Sequence, residues 1–216
     1  MTTRFLLYLC IVLISFLIGI VKFSKLNVAY KLVTFLLVYT FFSEIGSRIL
    51  AAQIKNSSPI YHLYIPVQFC FLYLSYLFLF GIRNKLSLIL IPSLFFLFSI
   101  LNLLFLQNRF RFPSNTILIS SCFFIIMALL FFRKMLNSIN YESIFKQDIF
   151  WFNSSILISF TISFLFWGFY NYLLSHKIST KPISTIVYVI NIICYSMLGV
   201  ALALTKNNNA LNECHE

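Results

Sequence analysis

Few side chains in this sequence could do chemistry, and most of those lie inside apolar runs. Glu44 is the clearest. It interrupts the run at about 28–50, and Arg48 follows four positions later, on the same helical face and in the favourable acid-then-base order. The next run opens Pro59-Ile60-Tyr61-His62-Leu63-Tyr64-Ile65-Pro66-Val67-Gln68. Tyr61, Tyr64 and Gln68 recur there at i, i+3 and i+7, which makes one polar, aromatic stripe with His62 beside it. Asn102, Asn153, Asn171 and Asn191 complete the set. A carboxylate, an imidazole, hydroxyls and amides together can donate, accept and carry charge. That is a repertoire for holding a small polar ligand.

The same residues are thin material for catalysis. HExxH and GxSxG are absent, and no second carboxylate lies within an apolar run to pair with Glu44. Glu44, His62 and His176 fall on one side and are the one set that could be imagined around a metal, but His176 belongs to a polar connection. The five cysteines, Cys10, Cys70, Cys122, Cys194 and Cys214, are isolated, with no CxxC among them. No catalytic residue, metal ligand or cofactor is expected.

The elements that position these groups follow from composition. Of 216 residues, 61% are hydrophobic and only 10% charged, and mean hydropathy is +0.93. Soluble domains carry roughly a quarter charged residues, so this chain has too little polar surface to cover itself in water. A helix crosses the hydrocarbon core with about 20 apolar residues, and seven segments meet that length, at approximately 5–21, 28–50, 60–82, 86–106, 115–132, 149–174 and 183–204. Residues 205–216 form a short polar tail. The breaks are polar or basic: Lys22 to Asn27, Lys55 to Pro59, Gly81 to Lys85, Gln107 to Pro113, 133–148 and Ser175 to Pro182. Pro66 and Pro92 fall inside helices. The runs lack the alternation of a membrane barrel. The predicted architecture is an all-α, seven-transmembrane-helix bundle in one membrane domain. The first segment is expected to be a retained helix, since no small-x-small cleavage site follows it before Lys22.

Charge supports the same picture. The net +11 is scattered in ones, twos and threes at the ends of apolar runs, without a basic block or arm, so nucleic acid is not an expected partner. Anionic headgroups are. Lys22, Lys25 and Lys31 flank the first helix on one side against Arg4 on the other, which by the positive-inside rule gives an N-out, C-in protein of the cell membrane. With antiparallel helices, Glu44, Arg48, His62, Gln68, Asn102, Asn171 and Asn191 all fall in the half nearer the N-terminal side, and only Asn153 in the other. Interhelical hydrogen bonds alone have no reason to prefer one leaflet. The asymmetry predicts a polar pocket open to the non-cytoplasmic face and lined by Glu44, Arg48, His62, Tyr64, Gln68, Asn102, Asn171 and Asn191.

Seven helices with this orientation are shared with microbial rhodopsins and G-protein-coupled receptors. A retinal protein needs a Schiff-base lysine in the last helix, and no lysine lies between Ile183 and Leu204. Laying Pro59 on Pro182 aligns Gln68 with Asn191 and Arg83-Asn84 with Lys206-Asn207, a weak parallel repeat of helices around a linker helix, three plus one plus three. The SWEET and PQ-loop transporters have such an arrangement, but their Pro-Gln dipeptide is missing, with Val67 between Pro66 and Gln68. Helix count alone does not assign a function. The expected function is a sensor or receptor-like protein binding a small ligand and signalling through a protein partner at the basic connection 133–146. A small-solute or ion transporter and a membrane-embedded lipid-processing enzyme are the alternatives.

Overall fold

Apolar runs in lipid must satisfy their backbone internally, and the helix is the local way to do so. The computed structural model describes residues 3–82, 84–137, 144–176 and 181–205; within these, the side chains of Asn171, Leu174 and residues 181–184 lie outside the description. Seven helices run through the described residues: α1 (Thr3–Val21), α2 (Val28–Ile54), α3 (Ser58–Phe80), α4 (Lys85–Leu101), α5 (Ser114–Asn137), α6 (Asp148–Ser175) and α7 (Lys181–Leu204). Counting with α4 the π turn Asn102–Leu106 that continues it, all seven are long and apolar enough to cross a membrane. Large apolar side chains such as Phe42, Leu63, Ile89, Leu104 and Phe105 face outward. Water would penalise such a surface and hydrocarbon accepts it. The build is that of a multi-pass membrane protein.

The ends have local causes. Asn27 caps α2 by accepting from the Tyr30 amide at 3.0 Å, and Asn84 caps α4 by accepting from Leu86 at 3.0 Å. Gly81, at φ 79°, turns the chain out of α3 in the left-handed conformation that glycine adopts without strain. Two helices outrun their apolar segments. α2 continues past Arg48 to Ile54, and α5 continues through Arg133 and Lys134 to Asn137. A basic side chain ends a hydrocarbon crossing without ending backbone hydrogen bonding, because its long stem carries the charge outward. Lys134 donates to the Leu79 and Phe80 carbonyls at 3.5 and 3.3 Å, a cation on the open carbonyls of α3.

α1, α2, α3, α5, α6 and α7 form a ring in which each helix packs on the next and α7 returns to α1. α4 stands outside it and leans on α3, burying little more than Phe95, Ser99 and Asn102. The three-plus-one-plus-three repeat is not shown by this arrangement, and Arg83, Lys206 and Asn207 lie outside the described residues. α1 is wedged tightly between its neighbours. A Cβ on Gly19 would lie 2.4 Å from Thr34 Oγ1 of α2, and one on Gly199 of α7 would lie 2.8 Å from Ser15 Oγ of α1. Only glycine lets the helices approach so closely.

Contacts at the two ends of the ring fix its sides. Tyr188 donates to the Arg4 carbonyl at the end carrying Thr3, here the N-terminal side, and Lys22 donates to the Ala203 carbonyl at the opposite end. The opposite half is filled. Tyr76 donates to Asn153 Oδ1 at 2.7 Å, and Asn153 Nδ2 donates to the Ala128 carbonyl at 2.9 Å. Ser155 reaches the Cys194 carbonyl at 2.8 Å. Phe124, Phe131 and Phe152 pack around Tyr76. These bonds tie α3, α5, α6 and α7 together with no polar atom of Asn153 left over.

Candidate functional site: a tyrosine-lined cavity around Glu44

The N-terminal half of the ring is not filled. It encloses a cavity of about 270 Å³ to which all six ring helices contribute. α2 carries Glu44 into it, near the end of that helix. α3, entering from the same side, brings Tyr61, Tyr64 and Gln68, the stripe set by their spacing. α1 and α7 add Tyr8, Asn191 and Tyr195; α5 adds Ser120; α6 adds Ser159, Ser163 and Trp167. Among the described residues, Glu44 is the one charged residue on the wall.

Its environment is built from hydroxyls. Tyr8 and Tyr61 both donate to Oε1, at 3.4 and 3.5 Å. Ordinary O–H···O bonds are about 2.5–3.0 Å long, so both are slack, and Oε2 has no protein partner among the described residues. Tyr64 is held more firmly, its hydroxyl 3.0 Å from Thr40 Oγ1, which itself donates to the Leu36 carbonyl at 2.8 Å. The Tyr8 ring meets Tyr195 edge-on at 5.6 Å, and Tyr61 meets Tyr64 edge-on at 6.1 Å. Deeper in, Gln68 and Asn191 make no hydrogen bond to protein among the described residues, and neither does Ser163.

On the N-terminal side the wall includes a plug from the connection between α4 and α5. Phe112 stacks on Trp167, with centroids 3.8 Å apart and planes 6° apart, and lies 5.0 Å from Tyr61. The connection is tied down along its length. Asn56 donates to the Phe110 carbonyl at 2.7 Å, and His62 Nε2 donates to the Arg111 carbonyl at 2.9 Å. At its start, Asn102 is the centre of a knot. It donates to Gln107 Oε1 at 3.0 Å and Thr116 Oγ1 at 3.2 Å and accepts from Asn115 at 3.2 Å, while Gln107 donates to Ser114 at 2.8 Å. The Gln107 amide closes the π turn on the Asn102 carbonyl at 2.7 Å.

Of the eight residues expected to line a pocket, the structure brings Glu44, Tyr64, Gln68 and Asn191 to this one cavity. Three others have different work. Arg48 places its guanidinium 4.2 Å over the Phe5 ring and not in a salt bridge with Glu44, His62 holds the Arg111 carbonyl, and Asn102 is sealed in its knot. The side chain of Asn171 lies outside the described residues. The sequence pattern did not single out Tyr8, Tyr195, Ser120, Ser159, Ser163, Phe112 or Trp167, and Tyr61, though on the stripe with Tyr64 and Gln68, was not among the eight expected lining residues. Counting each tyrosine hydroxyl inside an apolar run as a buried polar group would have singled out Tyr8 and Tyr195. His176 donates to the Tyr172 carbonyl at 3.0 Å, and no group of three His, Cys, Asp or Glu suited to a metal occurs among the described residues. No protein-family model, curated protein or solved structure matches the chain, so the cavity's own geometry carries the functional reading.

Proposed function

We propose that the protein is a receptor-like, multi-pass protein of the cell membrane that binds a small polar ligand in the Glu44 cavity. One observation carries this. Gln68, Ser163, Asn191 and Glu44 line one void, and neither the first three side chains nor one oxygen of Glu44 has a protein partner among the described residues. In a low-dielectric interior an unpaired polar group is costly, and groups placed to hold helices together find partners across the interface. A polar occupant would satisfy all four at once. The volume of about 270 Å³ lies just under the roughly 300–1,000 Å³ of sites for drug-sized ligands, which favours a small one. Lys22, Lys25 and Lys31 beside the end of α1 opposite Thr3 support an N-out orientation, so that the pocket faces outward. The connection 133–146 is then the cytoplasmic contact for a protein partner.

The test is a thermal-shift screen of the purified chain in nanodiscs against small cationic, anionic and neutral solutes. Ser163→Phe, which places a ring in the void, serves as control. Solutes that bind the cavity raise Tm of the wild-type protein and leave the filled variant unmoved. If every solute shifts both proteins alike, the ligand-binding reading is wrong.

A further inference from the structure

We infer that the ligand is a small organic cation whose ammonium group sits beside Glu44 among tyrosine rings. The inference rests on the ligand-binding reading and specifies its chemistry. Charge comes first. Glu44 is the one charged group on the cavity wall among the described residues; Arg48, one turn on, lies over Phe5 outside the lining and acts on Glu44 through its field without forming an ion pair with it. A carboxylate can accept about four hydrogen bonds, and this one has two slack ones on a single oxygen. It therefore retains charge that a cation can lie against, whether or not that cation carries an N–H to donate.

The rings point the same way. Tyr8, Tyr61, Tyr64 and Tyr195 surround the carboxylate, with Phe112 and Trp167 beyond them. Aromatic rings attract cations, and the hydroxyl oxygens of Tyr8 and Tyr61, which give their protons to Glu44, keep lone pairs that a cation can meet. A carboxylate in this setting repels anions. A wholly apolar molecule would leave Gln68 and Asn191 unpaired at the far end. The occupant that satisfies both ends is an amine or quaternary ammonium with a short hydroxyl or amide tail.

The experiment compares choline with 3,3-dimethylbutan-1-ol, the same shape with carbon in place of the cationic nitrogen. Binding to the full chain in nanodiscs is read by calorimetry and by the change in Tm. The expected result is choline binding at least about tenfold tighter than the neutral isostere, with ethanolamine and tetramethylammonium also binding. Glu44→Gln should bring choline and the isostere to within about threefold of each other. Tyr61→Phe, which keeps the ring, should retain the preference for choline. Equal binding of choline and its isostere by the wild-type protein overturns the cation reading and needs no variant to fold. Preference for anionic or neutral solutes that Ser163→Phe abolishes overturns it too, while leaving the ligand-binding reading in place. If no solute binds the cavity, both readings fall.

Discussion

Asn153 and Asn191 are the same residue on neighbouring helices, and their surroundings could hardly differ more. Asn153 is completely buried, accepts from Tyr76 and donates to the Ala128 carbonyl, and sits among phenylalanine rings in the half of the bundle opposite Thr3. Asn191 stands on the wall of a void in the other half with no protein partner among the described residues. Glu44 and Asn102 repeat the contrast. Asn102 has its amide fully engaged by Gln107, Thr116 and Asn115, while Glu44 holds two long bonds on one oxygen. An intramembrane polar residue does not declare its purpose by its type. A residue whose valences are all met by protein is part of the frame, and one that lines a void with valences open has donors and acceptors that the described residues do not meet.

The most direct way to break this contrast is to replace each asparagine with leucine and measure unfolding in nanodiscs. Asn153→Leu strands the Tyr76 hydroxyl in a dry interior and should cost about 2–3 kcal/mol. Asn191→Leu strands nothing and should change stability by no more than about 0.5 kcal/mol. Equal costs would show that Asn191 has a structural partner after all. A double-mutant cycle sharpens the same point: Tyr76→Phe with Asn153→Leu should show coupling of about 1 kcal/mol, whereas Gln68→Leu with Asn191→Leu should add to within about 0.5 kcal/mol. The smallest effect belongs to Arg48→Gln. It removes a cation from the Phe5 ring and a positive charge that acts on Glu44, so it should lower stability by about 0.5–1 kcal/mol and keep or raise any choline preference of the pocket. A loss of that preference would place Arg48 in the site.

The helices were legible because hydrocarbon length and helix rise leave so little choice. Each expected segment corresponds to a helix, and the bounds differ where the chain becomes polar but stays helical, as after Arg48 in α2 and Arg133 in α5. The cavity was legible in part. Spacing along α3 put Tyr64 and Gln68 on one face, and depth put Glu44 and Asn191 at the same level. What one dimension could not supply was pairing. Nothing in the sequence says that Asn102 will meet Thr116 and Asn115 across the π turn, or that Arg48 will turn to α1 and Phe5. Nor does hydropathy flag Tyr8 and Tyr195, because a tyrosine reads as mostly ring when the informative part is its hydroxyl. The plug residue Phe112 lies in a connection whose path depends on carbonyl contacts from Asn56 and His62, which no local pattern encodes.

The seam between α1 and α7 has a consequence for the life of the chain during synthesis. Ser15 donates to the Tyr195 carbonyl across 180 residues of sequence, and Tyr8 meets Tyr195 in the same seam. While ribosome and insertion machinery are still delivering α2 to α6, that wall of the cavity does not exist, and the small faces at Ser15 and Gly19 have only α2 to rest on. The cavity is therefore complete only once α7 has joined α1. A ligand that touches both Tyr8 and Tyr195 would act as a clasp on the newly closed ring, stabilising it by mass action and separating completed bundles from those still missing their seventh helix.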